Sequence, residues 1–257
     1  MEIKKNPKTE KFTKCKTEKL LQTLTLSLIL IENIRYKRQP RLMSNISVRL
    51  TKNLIVEIIK YLEKNTTDLA EKKILNLIKT TNLDQQSTNQ CKPNPPLKHQ
   101  SIQKALSSIV FEDLQPIKKY ISLCLSHLMW SSDDGEFYER NSGIGSDYMN
   151  GNMNAELIGP NRGVFKNNQL RLGLFLLDPN IFYEDHKHAA PELYINLSES
   201  TKWRFNGGNW EQNKSGSIIY NEPFRSHAMI VGDVPFLSVW CWPYNSDRKC
   251  ILMRKNL

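Results

Sequence analysis

The sequence lacks a stretch long and apolar enough to span a bilayer. Its one extended hydrophobic run, Leu20 to Ile31, holds about a dozen residues and is interrupted by Gln, Thr and Ser, whereas a spanning helix needs roughly 20 apolar residues. A small-residue cleavage site of the kind that ends a signal peptide is also missing. The cysteines, Cys15, Cys91, Cys124, Cys241 and Cys250, are odd in number, irregularly spaced and without a C-x-x-C pair. That argues against a disulfide framework and for reduced thiols in the cytoplasm. The net charge of +10 comes with no zinc finger, Gly-rich RNA motif or helix-turn-helix, so neither nucleic acid nor membrane is expected as a partner. The charge is also uneven. Residues 1–100 carry 20 Lys+Arg against 9 Asp+Glu, and residues 101–257 carry 16 against 17.

Three regions follow from this unevenness and from periodicity. Residues 1–42, with 11 basic and 4 acidic groups, read as a poorly ordered basic extension, and Met43 is the expected biological start. Residues 43–130 read as helical. Leu54, Ile55, Ile58, Ile59 and Leu62, then Leu69, Ile74, Leu75, Leu77 and Ile78, recur at three- and four-residue spacings. A polar, Pro-rich loop spans Asn82 to Pro96. Helical patterns resume at Ser101–Val110 and Gln115–Trp130. From Ser131 to the end, short apolar runs alternate with Gly, Asn and Pro, the mark of an all-β sandwich or barrel. Strands are expected at Ala155–Ile158, Leu170–Leu177, His186–His188, Glu192–Leu197, Lys202–Phe205, Ser217–Tyr220, His227–Ile230 and Phe236–Trp242. Gly207-Gly208 and Gly232-Asp233 are read as hairpin turns. Eight short strands suggest a jelly roll or double-stranded β-helix.

Histidine is scarce, and its distribution is informative. Of the five in the chain, two fall in Tyr183–Tyr194 (YEDHKHAAPELY), and His227 ends the next strand-like segment. Residues two apart on a strand share a face, so His186 aims with His188, and Glu192 with Tyr194. Imidazole and carboxylate are ligands for zinc, iron, manganese, cobalt or nickel. The spacing is a strand pattern and not the helical H-E-x-x-H.

The H-x-H-x-x-x-E arrangement of His186, His188 and Glu192, with Gly216, Pro223 and His227 following in order, resembles the cupin superfamily. Glu199 stands where a cupin usually has Gly. A narrower resemblance lies in the run from Leu172 through Ser198, in Trp203-Arg204, in His227-Ala-Met229, and in Pro235 through Trp242. These segments look like the cupin-type dimethylsulfoniopropionate (DMSP) lyases, especially the DddL-like branch. The resemblance implies a mainly β fold, a cupin double-stranded β-helix preceded by an α-helical region. It implies a divalent metal held by His186, His188, Glu192 and His227, with DMSP as substrate, and a homodimer. Tyr194 and Tyr183 match tyrosines at the reacting centre, one of them the base. Trp242 matches an aromatic wall, and Tyr220 is a second aromatic candidate for the substrate.

The expected reaction is a β-elimination giving dimethyl sulfide and acrylate. It needs a Lewis acid near the carboxylate, a base for the α-proton, and aromatic faces for the sulfonium cation. Two other readings use the same residues: an iron-dependent dioxygenase, and a non-catalytic cupin that senses a small molecule.

Overall fold

The computed structural model describes residues 45–89, 91–198 and 201–253. The basic extension with its apolar run, the start expected at Met43, and Glu199 lie outside them. Among the described residues no helix is long and apolar enough to cross a membrane.

Helices α1 (45–65), α2 (Leu69–Lys79), α3 (His99–Ser108) and α4 (Gln115–Cys124) form a layer on one face of the β structure. Asp68 caps α2 by accepting from the Ala70 amide at 2.7 Å. The helical stripes read from the sequence are the buried ones: Leu54, Ile55, Ile58 and Leu62 on α1, Ile74, Leu75 and Ile78 on α2, Ile117 and Ile121 on α4. The helix expected over Gln115–Trp130 is shorter. It ends at Cys124 and passes through one 3-10 turn, Leu125–His127, into strand β1 (Trp130–Ser131). Tertiary pairing overrides the periodicity there. Asn94 takes the Leu128 carbonyl and gives its own carbonyl to the Trp130 amide, at 3.0 Å each.

Two sheets, antiparallel except where β3 runs parallel to β2, face each other. The larger runs β1, β2 (Asn152–Gly159), β4 (Leu170–Leu177), β11 (Phe236–Pro243), β6 (Glu192–Asn196) and β9 (Ile218–Asn221), with β3 (Phe165–Lys166) beside β2. The smaller runs β12 (Ile251–Leu252), β5 (Phe182–Lys187), β10 (His227–Val231), β7 (Thr201–Phe205) and β8 (Glu211–Asn213). A short helix, α5 (Ser146–Gly151), leads into β2. This is the cupin double-stranded β-helix.

The central strands β4 and β11 of the large sheet are covered on both faces, so they read as nearly continuous apolar runs. Leu170, Leu172, Leu174 and Leu176 of β4, Leu193 and Ile195 of β6, and Leu237, Val239 and Cys241 of β11 pack under the helices. The alternate residues Phe175, Tyr194, Phe236, Trp240 and Trp242 point into the barrel. Each fully buried Leu adds about 1.5–3 kcal/mol of hydrophobic stabilisation, so one core holds the helices to the large sheet, and a second fills the barrel. The small sheet has one wet face and alternates instead: on β7, Trp203 is buried while Lys202 is exposed.

Gly207-Gly208 lies between the paired strands β7 and β8, as expected. Gly232-Asp233 does not close a hairpin, because β10 and β11 belong to different sheets. The short strands β1, β3, β8 and β12, of two or three residues each, carry too little alternation to be seen in the sequence.

Candidate metal centre and active site

The site forms where β5, β6, β10 and β11 meet inside the barrel. On β5 one irregularity decides its composition. His227 pairs with His186, and Met229 pairs with Tyr183, so two steps on β10 face three on β5. The extra residue is a β-bulge at Glu184–Asp185, which turns both outward. It lets Tyr183 and His186, three apart, point into the same barrel. Outside, Asp185 pairs with Arg204.

His186, His188 and His227 are buried, and their ligand nitrogens lie within 4.8 Å of one another. Each ring is oriented through Nδ1 to a backbone carbonyl. His186 reaches Glu184 O at 2.8 Å, His188 reaches Ala190 O at 2.8 Å, and His227 reaches Arg225 O at 3.1 Å. This fixes the tautomer with the proton on Nδ1 and turns the Nε2 lone pairs inward. The Nε2 of His227 is buried without a hydrogen-bond partner. Its nearest anion, Glu192 Oε2, is 3.4 Å away, too long for a good hydrogen bond. An orphaned, convergent nitrogen beside two others is what a metal ion satisfies, so the residues fit a divalent cation.

Glu192 lies beside these rings. Its Oε2 lies 3.2 Å from His188 Nε2 and accepts from Asn221 Nδ2 at 2.9 Å, and its Oε1 accepts from Trp242 Nε1 at 2.5 Å. Burial works to raise its pKa, but the neighbouring His188 and His227 outweigh that and hold the carboxyl well below its usual range. Burial first, then His227 and His188, push His186 well below its ordinary value and keep it neutral, as a ligand must be.

Around this set lies a pocket lined by Tyr183, Tyr194, Trp240, Trp242, Phe175 and Tyr148, among others. Tyr194 lines this pocket together with Glu192. Tyr183 stacks on His186 with ring centroids 4.3 Å apart. Burial raises both phenols well above their usual pKa. Trp242 packs 4.7 Å from His188 and 5.6 Å from Trp240. The structure thus brings together Tyr183, Tyr194, Trp242, His186, His188, Glu192 and His227.

Tyr220 is not among them. On β9 it pairs with Leu193, and both point toward the helical layer. Its neighbour Asn221, opposite Glu192, points inward and takes the polar role. The sequence did not point to Tyr148, which lines the pocket, nor to Tyr138 and Asp133, hydrogen-bonded to Tyr183 and Tyr148 respectively. They sit in or beside a turn-rich segment whose only signal was two tyrosines among Gly, Ser and Asp.

The family model described as "Dimethlysulfonioproprionate lyase" matches residues 68–238. One similar solved structure comes from work on the DMSP lyases RdDddP and RnDddQII. It is 18% identical, covers 81% of this chain and 100% of its own, and has a TM-score of 0.61. The DMSP lyase DddQ from Ruegeria pomeroyi DSS-3 is 19% identical, covers 80% of this chain and 96% of its own, with a TM-score of 0.58. At these identities the structural likeness is one of fold. No curated protein matches the chain. Since the family match spans well over half of the sequence, the chain belongs to the DMSP lyase family.

Proposed function

We propose that the protein is a divalent-metal-dependent carbon–sulfur lyase, a dimethylpropiothetin dethiomethylase, that cleaves DMSP to dimethyl sulfide and acrylate. The observation that carries this reading is a cluster of three buried imidazoles, with Glu192 3.2 Å from His188 and lining a pocket shared with two tyrosines and a tryptophan wall. Zinc, iron, manganese, cobalt or nickel would be held by His186, His188, His227 and Glu192, and would supply Lewis-acid stabilisation of negative charge at the substrate carboxylate. Tyr194 Oη is the base that takes the α-proton. The C–H electrons form the new double bond as the Cβ–S bond breaks, and neutral dimethyl sulfide leaves. Burial and then Glu192 keep Tyr194 a phenol in the metal-free pocket, and a nearby cation works in the opposite sense. Tyr183 donates to the substrate carboxylate. The faces of Trp240, Trp242 and Phe175 receive the sulfonium methyls, at about 0.5–2 kcal/mol per face, and their apolar surfaces exclude water.

The segments His227-Ala-Met229 and Pro235 through Trp242 support a place in the DddL-like branch. Free Cys91, Cys124, Cys241 and Cys250 support a reducing, cytoplasmic setting.

Headspace gas chromatography of the purified protein, loaded in turn with each of the five metals, tests the reading. DMSP is expected to yield dimethyl sulfide. Chelation should abolish release, and Tyr194→Phe should lower kcat by about 10²- to 10⁴-fold. No dimethyl sulfide with any of the metals rejects it.

A further inference from the structure

The pocket beside the imidazoles has a larger neighbour. Glu156, Arg162, Arg171 and residues 246–249 line a second, polar cavity of about 160 Å³. The inner pocket measures about 40 Å³. Phe137 is the residue that lines both. Its ring meets Trp242, a wall of the inner pocket, edge-on, with centroids 5.9 Å apart and planes at 85°. The guanidinium of Arg171, a wall of the outer cavity, lies 5.6 Å from the same ring. Arg171 stands opposite Trp242 in the β4–β11 ladder and is held by Glu156 at 2.6 Å. The phenyl ring therefore sits between two anchored neighbours, one from each cavity.

The partition can yield where the other walls cannot. An apolar cavity of about 150 Å³ takes one benzene. DMSP has more atoms than benzene, so it fits the inner pocket only when a wall moves. Phe175, Tyr194, Trp240 and Trp242 are buried on strands of the large sheet. Phe137 lies in a turn and is half-buried. Its backbone is tied down, since its carbonyl accepts from the Cys250 amide at 2.7 Å, but its side chain has the outer cavity behind it. The ring also lies at the Trp242 end of the aromatic wall that receives the sulfonium methyls. Longer S-alkyl groups at that end would run into it.

We propose that Phe137 is a specificity-determining residue: its ring closes the sulfonium end of the pocket and restricts the substrate class to sulfoniopropionates with S-methyl groups. A smaller side chain at this position opens the outer cavity to longer alkyl groups. The inference rests on the lyase reading of the pocket and on the placing of the sulfonium against Trp242.

The test measures kcat/KM for DMSP and for its S,S-diethyl analogue, which would give diethyl sulfide, in metal-loaded wild type, Phe137→Ala and Phe137→Leu. One methylene in an apolar pocket changes kcat/KM by about 10- to 200-fold. The wild type should prefer DMSP by at least about 10-fold, Phe137→Ala should cut that preference by about 10-fold or more, and Phe137→Leu should fall between. A Phe137 that only supports the fold would lower both values together, so an unchanged ratio overturns the proposal, as does a wild type with no preference. If Phe137→Ala does not fold, Phe137→Leu carries the test, and a wild-type ratio refutes it. If the wild type releases no sulfide from either compound, the lyase reading fails, and NMR of the Trp242 indole N–H, assigned with Trp242→Phe, decides this inference separately. The diethyl analogue should shift that resonance in Phe137→Ala and leave it in place in the wild type. The same response in both overturns it.

Discussion

Replacing Trp242 by Phe separates two roles that the structure gives it. The phenyl ring keeps an apolar wall, but the Nε1–H to Glu192 Oε1, at 2.5 Å, is lost. Trp240 provides the control. It lies on the same strand face and is as buried, 6% exposed against 7%. Its Nε1 donates at 3.3 Å to a neutral carbonyl, Leu174 O. Trp240→Phe and Trp242→Phe thus delete the same volume, and only one deletes a bond to a buried carboxylate held ionised. A hydrogen bond to a charged group contributes about 1.5–3 kcal/mol, and a neutral one about 0.5–1.5 kcal/mol. Trp242→Phe should therefore cost about 1–2 kcal/mol more than Trp240→Phe in metal-free protein. At about 2–4 °C per kcal/mol for a chain of this size, the Tm values should differ by roughly 2–8 °C. A bound cation offers Glu192 a second source of compensation, so the gap should narrow on metal loading. Differential scanning calorimetry with and without metal measures both quantities. Equal losses in the two variants, or a gap that metal leaves unchanged, would show that the indole N–H does not stabilise the carboxylate.

Tyr220→Phe should leave KM and kcat within about twofold, because its ring faces the helical layer; a large rise in KM would restore it to the substrate. Gly173 lies across from Trp240, and a Cβ there would fall 2.6 Å from Ala155 O and 2.9 Å from Trp240 Nε1. Gly173→Ala should cost about 1–3 kcal/mol by overpacking, read as a lowered Tm. Native alkylation at pH 8 followed by peptide mass mapping should modify the part-exposed Cys91 and spare Cys124, Cys241 and Cys250. Burial pushes the Cys124 thiol up to about 12 and raises the other two further. Modification of Cys241 without unfolding would contradict the packing under the helices.

The strands and the metal ligands were legible for different reasons. β7 alternates because one face of its sheet is wet. Nearly continuous apolar runs located β4 and β11 because both faces are covered. His186, His188, Glu192 and His227 stood out by scarcity and by strand spacing. Register was hidden. Tyr220 and Asn221 are adjacent polar or aromatic residues on one strand, and only the pairing of Asn221 with Glu192 shows which points inward. The bulge was hidden too. Strict alternation would put Tyr183 and His186 on opposite faces, yet the extra residue at Glu184–Asp185 brings both into the barrel and lets their rings stack. Asp133 lies furthest from anything a sequence pattern reports. It sits in a turn cluster, where an aspartate ordinarily accepts from a nearby backbone amide, and here its Oδ1 does so with Gly135. What distinguishes it is the second oxygen, which accepts from the Tyr148 hydroxyl. A pattern along the chain can name that turn. Which side chain the spare oxygen meets depends on α5 and β2 delivering Tyr148 and Asn152 to it, a consequence of packing that no local spacing encodes.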